Sequence, residues 1–260
     1  MIYTCYEMVR DCRANKPEGW RYFIESYVPV ARKLIRHYGG GEADLNRVLL
    51  TVRNPQSSMF DSLEPAPERW FVAELRQKVV AELPVPKAAI PLMLEEVAEA
   101  LEPLTLTEKQ AAWTESMGYT PEEAGAMLRM APPTVAKIRA RASELLRGKM
   151  NAWRRTVLAE NGPALSRAAA AGRSAECAGA KTFLDVLDGR TTWRGREEME
   201  RHVGACWHCI DHFCRMAEVI EVLRGLQPLT AEEAEPFRKL LGVAAEERGL
   251  WKRFMGRGAS

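Results

Sequence analysis

Cysteine and histidine are scarce in this chain, with six and four among 260 residues. Six cysteines are too few for a disulfide scaffold. No apolar run approaches the roughly 18–20 residues of a membrane-spanning helix, and the first residues carry charges where a signal peptide has its apolar core. No segment alternates apolar and polar residues with hairpin turn signals. These absences predict a helical, cytoplasmic protein that has no membrane partner.

Apolar residues recur at every third or fourth position along most of the chain, as in amphipathic α-helices. Residues 21–38 show this spacing, and the three glycines at 39–41 end that helix. Residues 67–83 repeat the pattern, and we expect their Trp70 and Phe71 to be core residues. The pattern predicts an all-α fold of three small helical modules.

The module boundaries follow from two breaks, Pro-rich residues 84–87 and a stretch rich in Gly, Ser and Ala. The predicted divisions are 1–84, 88–158, a linker or weakly packed helix at 159–174, 175–225 and a helical tail at 226–260. Within the first module, Cys5 and Cys12 are most simply buried small apolar residues. We expect Arg76 and Lys78 to be solvated.

The middle module has the pattern of a helix-turn-helix. Thr120 and Glu123 form a predicted capping box, so a helix starts there and runs to about Leu128. A second helix starts at about Pro132, because proline is tolerated in a first helical turn. A helix, a short turn and a helix make the unit that places its second helix in a major groove.

The second helix has an apolar face and a basic face. Lys137 and Arg141 lie opposite its apolar residues, with the small Ala136 and Ala140 between them. Such a stripe suits phosphate contact and guanine edges; the alternative is a solvated basic face on a structural helix. The predicted DNA-binding residues are Thr134, Lys137, Arg139, Arg141, Arg147 and Lys149.

The order L-T-E-K-Q, G-Y-T-x-E-E-A, M-A-x-x-T-V and R-A-x-x-L-L, from Leu106 to Leu146, resembles region 4 of bacterial sigma factors. The likeness is greatest to the small extracytoplasmic-function group. It implies binding to the promoter element near −35. The chain departs from the family at Arg129, where glycine is usual, and at Ala131, where a capping serine is usual.

The N-terminal module resembles sigma region 2 in its opening helix and in residues 68–83. That resemblance implies the core of RNA polymerase as a partner. The clamp-binding stretch of the family keeps only Asp44 and Leu45 here, and Arg47 reverses the charge of a family glutamate. These departures put polymerase binding through this surface in question.

The last module crowds two histidines and two cysteines into residues 201–209. His202 and Cys206 are four apart, so on a helix they project from the same face. Cys206 and Cys209 are three apart, which lets two thiolates bind one ion at a helix end or knuckle. Zinc takes four such ligands in closed structural sites, and Cys177 is the candidate for the fourth. His208, His212 and Cys214 leave open an alternative set or a second metal.

The segment C-x25-H-x3-C-x2-C, with L-D-G inside it, resembles the zinc-binding anti-sigma domain over about 35 residues. The resemblance implies Zn²⁺ on Cys177, His202, Cys206 and Cys209, and a domain that binds its cognate sigma factor. An apolar stripe follows the ligands. It consists of Ile210, Phe213, Met216, Ala217, Ile220 and Leu223, and we expect it to dock on the sigma-like helices or on another chain.

Two hypotheses of function follow. The first is a sigma-type DNA-binding transcription regulator that recognises promoters and is regulated in cis by its zinc module. The alternative is a non-DNA-binding, zinc-dependent adaptor that acts by protein–protein contacts. An enzyme is not expected, because a closed site leaves zinc no position for water and the sequence carries no phosphate-cradling loop or nucleophile elbow.

Overall fold

A computed structural model of the chain describes residues 3–54, 56, 59–60, 68–83 and 90–243. Within these ranges it contains fourteen α-helices and no strand, which confirms the all-α prediction. The helices are α1 (Cys5–Arg13), α2 (Pro17–His37), α3 (Glu42–Arg53), α4 (Glu68–Glu82), α5 (Ile90–Ala100), α6 (Leu106–Ser116), α7 (Pro121–Leu128), α8 (Pro132–Lys149), α9 (Ala152–Glu160), α10 (Gly162–Ala171), α11 (Ala180–Leu187), α12 (Trp193–Val203), α13 (Trp207–Leu223) and α14 (Ala231–Leu240).

The N-terminal module consists of α1–α4. Its long helix α2 begins with a proline in the first turn and ends before Gly39, which has a φ of +77°. Glycine adopts this left-handed conformation without the steric penalty of a Cβ. Phe23, Tyr27 and Phe71 form part of a buried aromatic cluster that joins α2 to α4. Residues 84–87, the predicted module boundary, lie outside the described residues.

The helix-turn-helix module is built on α6, α7 and α8. The Thr120–Glu123 capping box starts α7 as the sequence predicts, and α8 starts at Pro132. Arg129 closes α7 in the left-handed region with a φ of 56°, and Ala131 caps α8 without a side-chain hydrogen bond. The turn is tight, since a Cβ added to Gly125 would lie 2.7 Å from the Met130 carbonyl oxygen.

Helix α13 lies at the centre of the described chain. It packs against α2 and α4 of the N-terminal module, α6 and α7 of the helix-turn-helix module, and α10, α11 and α12. Of the apolar stripe, Ile210, Met216 and Ala217 are buried, whereas Phe213 is partly exposed. One hydrophobic core therefore extends through all three predicted modules, and a second, smaller cluster joins α6, α7 and α8 through Ala111, Ala124, Val135 and Ile138.

Residues 159–174, the predicted linker, contain the packed helix α10 rather than a tether. Leu165 and Ala169 are buried in it, and the helix packs against α4, α5, α9 and α13. Its small residues permit this closeness. A Cβ on Gly162 would overlap the Ser116 carbonyl oxygen, so only glycine lets α10 approach α6 at this point.

The C-terminal helix α14 returns to the N-terminal module and packs on α2. Arg238 forms an ion pair with Glu25, and the Leu229 N–H donates to the Glu25 carbonyl oxygen at 2.8 Å. Residues 244–260 of the predicted tail lie outside the described residues. Among the helices that the structure describes, none combines the length and the apolar character needed to span a membrane.

Candidate metal centre and nucleic-acid face

The structure brings together the four predicted metal ligands from three parts of the last module. Cys177 lies in the loop before α11, His202 in the last turn of α12, Cys206 at the N-cap of α13 and Cys209 in its first turn. Their ligand atoms all lie within 4.8 Å of one another. The Sγ atoms of Cys177 and Cys206 are 3.7 Å apart. Tetrahedral zinc with bonds of about 2.3 Å separates two sulfurs by about 3.8 Å, so the spacing fits such an ion.

The thiols of the cluster differ in their surroundings. Burial tends to raise the pKa of Cys177, but hydrogen bonds from the Ser174 hydroxyl and N–H, and then from His202 and Cys206, bring it to about 6. The Ser174 N–H donates to Cys177 Sγ at 3.2 Å. Burial raises the pKa of Cys209 to about 12. The raised pKa of Cys209 favours its protonated thiol. A bound metal ion would favour the thiolate instead, because cysteine binds metals in that form.

The imidazole of His202 is oriented for a ligand. Its Nε2 is buried and has no hydrogen-bond partner among the described residues. Its Nδ1 lies 3.8 Å from a carboxylate oxygen of Glu176. A metal-bound histidine commonly directs its second nitrogen to such a carboxylate. One ring nitrogen of His202 lies within 4.8 Å of the three sulfurs, and this grouping of four ligand atoms is the observation that favours a metal here.

The other candidates for metal ligands do not join this cluster. His208 Nδ1 lies 3.2 Å from the Ala170 carbonyl oxygen, and the buried Cys214 directs its Sγ to the Gln110 carbonyl oxygen. His212 packs edge-on against Phe183, and burial lowers its pKa to about 3. Within the described residues these three side chains serve packing, and no second metal cluster forms.

The outer face of α8 is exposed and basic. Lys137 and Arg141 face solvent together with Ala136 and Ala140, so the backbone between the two charges is uncovered. Arg141 forms an ion pair with Glu108 at 2.7 Å while its side chain stays 52% exposed. The exposed members of the predicted set are Thr134, Lys137, Arg141, Arg147 and Lys149. No other module covers this face within the described chain.

Arg139, the remaining member of the set, is not a surface residue. It is buried, and its guanidinium donates to the Tyr119 carbonyl oxygen at 2.9 Å and to Thr114 Oγ1 at 3.1 Å. A weaker bond reaches the Ala111 carbonyl oxygen at 3.4 Å. Its position next to Ile138 on the apolar side of α8 explains this. Arg139 therefore joins α8 to α6 and is removed from the predicted DNA contacts.

Arg76 is also not solvated, contrary to the sequence-based expectation. Its side chain is fully buried in an ion pair with Glu218, in which Nε donates to Oε2 at 2.9 Å. Tyr38 and Tyr119 both donate their hydroxyls to the other oxygen of Glu218. The sequence signal that was missed is Glu218, a charged residue among the apolar residues of α13. A buried carboxylate requires a cationic partner, so its presence there predicts a buried arginine or lysine elsewhere in the chain.

A second carboxylate on α13 continues this network. Asp211 accepts hydrogen bonds from Trp113 Nε1 at 3.0 Å and from Ser166 Oγ at 2.8 Å. Ser166 in turn accepts from Arg76 at 2.7 Å. Arg215 lies 2.8 Å from Asp211 as a buried pair of opposite charges, without the alignment of a hydrogen bond. The two carboxylates thereby connect the N-terminal module, the helix-turn-helix module and α10.

The stretch that resembles the clamp-binding segment of sigma factors is engaged within the chain. Arg47 contacts the Asp44 carboxylate at 2.5 Å and donates to the Glu82 carbonyl oxygen at 2.6 Å. Hydrogen bonding from the Gly41 N–H, and then the charge of Arg47, lowers the pKa of Asp44. The acidic residue that the family would offer to polymerase is thus paired with a neighbouring arginine.

Comparison of the chain with protein-family models, with curated proteins and with solved structures gives no match. The arguments about its function therefore depend on the geometry of the metal cluster, the basic face and the buried network.

Proposed function

We propose that the chain is a DNA-binding transcription regulator of the sigma type, which recognises promoter DNA through α8 and is regulated in cis by its zinc module. The observation that carries this proposal is the exposed basic face of α8 on the second helix of a helix-turn-helix. Small residues between Lys137 and Arg141 allow the helix to approach a groove closely. The resemblance to sigma region 4 adds the kind of target, a promoter.

Zn²⁺ is the ion that we propose for the cluster of Cys177, His202, Cys206 and Cys209. Three sulfurs and one imidazole nitrogen are soft and borderline ligands, which favour zinc in a reducing cytoplasm. Four protein ligands complete a tetrahedral site, so the ion would have a structural role and we propose no catalysis. Its binding would fix the start of α13 relative to α12 and to the loop that holds Cys177.

The placement of α13 suggests how regulation in cis would work. The helix packs against both sigma-like modules, whereas the basic face of α8 remains exposed. Control would therefore act on the relative placement of the two modules rather than on access to α8. Covalent attachment raises the local concentration of the zinc module to roughly millimolar, so a modest contact is sufficient to keep the arrangement.

DNA binding is tested with the zinc-loaded full chain. Selection from random duplexes should enrich one sequence, and changing Lys137 and Arg141 together to alanine should weaken its binding at least about tenfold. The slope of log affinity against log salt should fall by about 2, one for each lost phosphate contact.

The matched control removes two other exposed positive charges, by changing Arg194 and Arg196 on α12 to alanine. Both form ion pairs with glutamates of their own helix, so we expect binding to be unchanged. If no duplex is enriched, or if both double variants bind like the original chain, the DNA-binding proposal is refuted.

The second candidate function is a zinc-dependent adaptor that acts by protein contacts, and the pairing of Asp44 with Arg47 favours it. Run-off transcription with core RNA polymerase separates the two. A transcript from the selected sequence supports the sigma-type regulator and a polymerase contact. Absence of both a transcript and DNA binding supports the adaptor.

A further inference from the structure

We propose that Asp211 and Glu218 form an intramolecular latch through which α13 holds the N-terminal module and the helix-turn-helix module in one closed arrangement. The regulatory meaning of the latch depends on the function proposed above, but its existence is a separate physical claim. The latch can open, because its central contacts are charged and polar groups that water can also satisfy.

Glu218 is the shared partner of the two modules. Its side chain and that of Arg76 are both fully buried. Arg76 and Tyr38 reach it from the N-terminal module, and Tyr119 reaches it from the segment between α6 and α7. Donors from both modules share the single negative charge of Glu218. An apolar contact in this position would not depend on both modules at once in this way, because it would have no charge to share.

Asp211 repeats this arrangement two helical turns earlier. Trp113 donates to it from the helix-turn-helix module, and Ser166 connects it to Arg76 of the N-terminal module. Residues seven apart lie on nearly the same face of a helix. One face of α13 therefore presents two carboxylates to donors from both modules.

The energetics of buried charges make this interface separable. The attraction within a buried ion pair does little more than offset the cost of removing both charges from water. Loss of one partner is nevertheless strongly unfavourable, because the other charge stays buried. On opening, all groups of the latch regain hydration together. The two carboxylates thus make the closed arrangement specific in geometry, while buried apolar residues of the same helix, such as Met216 and Val219, pack in the core around them.

The latch is mechanically connected to the metal cluster. Cys206 caps α13 and Cys209 lies in its first turn, two residues before Asp211. An ion bound there fixes the N-terminal end of the same helix that carries both carboxylates. Loss of the ion would release that end, and we expect the latch to open with it.

The first test uses the full chain with zinc bound and the substitution Glu218→Gln, which keeps the shape of the side chain but removes the carboxylate that pairs directly with Arg76. We expect the radius of gyration from small-angle X-ray scattering to rise by roughly a tenth or more from the value of about 18 Å for a compact chain of this length. The control is Glu221→Gln on the same helix, which breaks only a surface ion pair with Arg224 and should change nothing.

A rescue variant separates charge from packing. Arg76→Met combined with Glu218→Leu removes both charges at similar volume, and we expect it to be as compact as the original chain. If the double variant is as expanded as Glu218→Gln, lost packing explains the effect and the latch is refuted. An unchanged radius for Glu218→Gln refutes it as well.

Tyr119→Phe provides the test if Glu218→Gln does not fold. It removes one hydroxyl and keeps the ring, so we expect hydrogen exchange in the middle of α13 to accelerate about tenfold. Unchanged exchange would contradict the latch. DNA binding by the original chain is measured in parallel. An expanded Glu218→Gln chain together with an original chain that binds no DNA supports the latch and refutes the proposed function. A compact Glu218→Gln chain together with an original chain that binds DNA refutes the latch and supports the proposed function.

Discussion

Replacing Arg139 by alanine tests the structural role of this buried arginine against the exposed Arg141 on the same helix. Arg139 points inward from α8 and bonds to Thr114 and to the Tyr119 carbonyl oxygen. Arg141, two residues later, points outward and is half exposed. Both arginines belong to the predicted DNA-binding set, yet the structure assigns only Arg141 to the surface.

The magnitude follows from the three acceptors that Arg139→Ala leaves behind. The Ala111 carbonyl oxygen keeps a second donor, the Thr114 hydroxyl at 2.7 Å, so its loss is small. The Tyr119 carbonyl oxygen and Thr114 Oγ1 each lose a charged donor in a buried position. Two such losses, together with the lost packing of the side-chain stem, cost about 2–4 kcal/mol.

Thermal unfolding of the zinc-loaded chain measures this cost. A loss of about 3 kcal/mol lowers the Tm of a chain of this size by roughly 6–12 °C. The control Arg141→Ala breaks only a surface ion pair with Glu108 and should cost less than about 1 kcal/mol, while it weakens DNA binding. An Arg139→Ala chain as stable as the Arg141→Ala chain would refute the buried position of Arg139.

Three further predictions concern the turn, the metal and its reporter. Gly125→Ala should lower stability by about 1–3 kcal/mol in thermal unfolding, because its Cβ meets the Met130 carbonyl oxygen, whereas Gly148→Ala, with open space around it, should be neutral or stabilising. Zinc affinity, measured by competition with a chelator, should rise with pH by about tenfold per pH unit from Cys209 alone. The pKa of Cys209 is about 12, so this thiol loses a proton when the metal binds. An affinity that does not change between pH 6.5 and 8.5 contradicts this prediction. Zinc removal should change tryptophan fluorescence, because Trp207 follows Cys206 and lies 5.1 Å from the Trp113 ring; a Trp207→Phe chain that responds equally would exclude Trp207 as the source.

The helices and the metal cluster could be predicted because their signals are local. The capping box at Thr120 and Glu123 sets the start of α7 wherever the helix lies in the fold. The short spacing of His202, Cys206 and Cys209 likewise keeps three ligands close together, although His202 ends α12 and the two cysteines lie at the start of α13 rather than on one helix. Only Cys177 required a choice at long range, and few cysteines competed for the position.

The buried charges could not be predicted because their partners are distant in the sequence. Arg76 has the composition of a solvated residue on α4, and its burial depends on Glu218, 142 residues later. Arg139 lies at a border of the apolar face of α8, where rotation of the helix by a few tens of degrees decides between solvent and interior. The packing of α10 could not be predicted for a different reason. Its residues are small, and small residues are typical both of tethers and of close helix contacts.

The position of Glu218 so late in the chain has a consequence for synthesis on the ribosome. At about 5–20 residues per second, the 142 residues that separate Arg76 from Glu218 take roughly 7–28 s to translate. Until then the guanidinium of Arg76 can bond to the Tyr38 hydroxyl of its own module but lacks Glu218. The N-terminal helices therefore emerge before the buried ion pair can form. Every new molecule thus passes through a period in which α2, α4, α6 and α7 exist before α13, the helix that packs against all four of them.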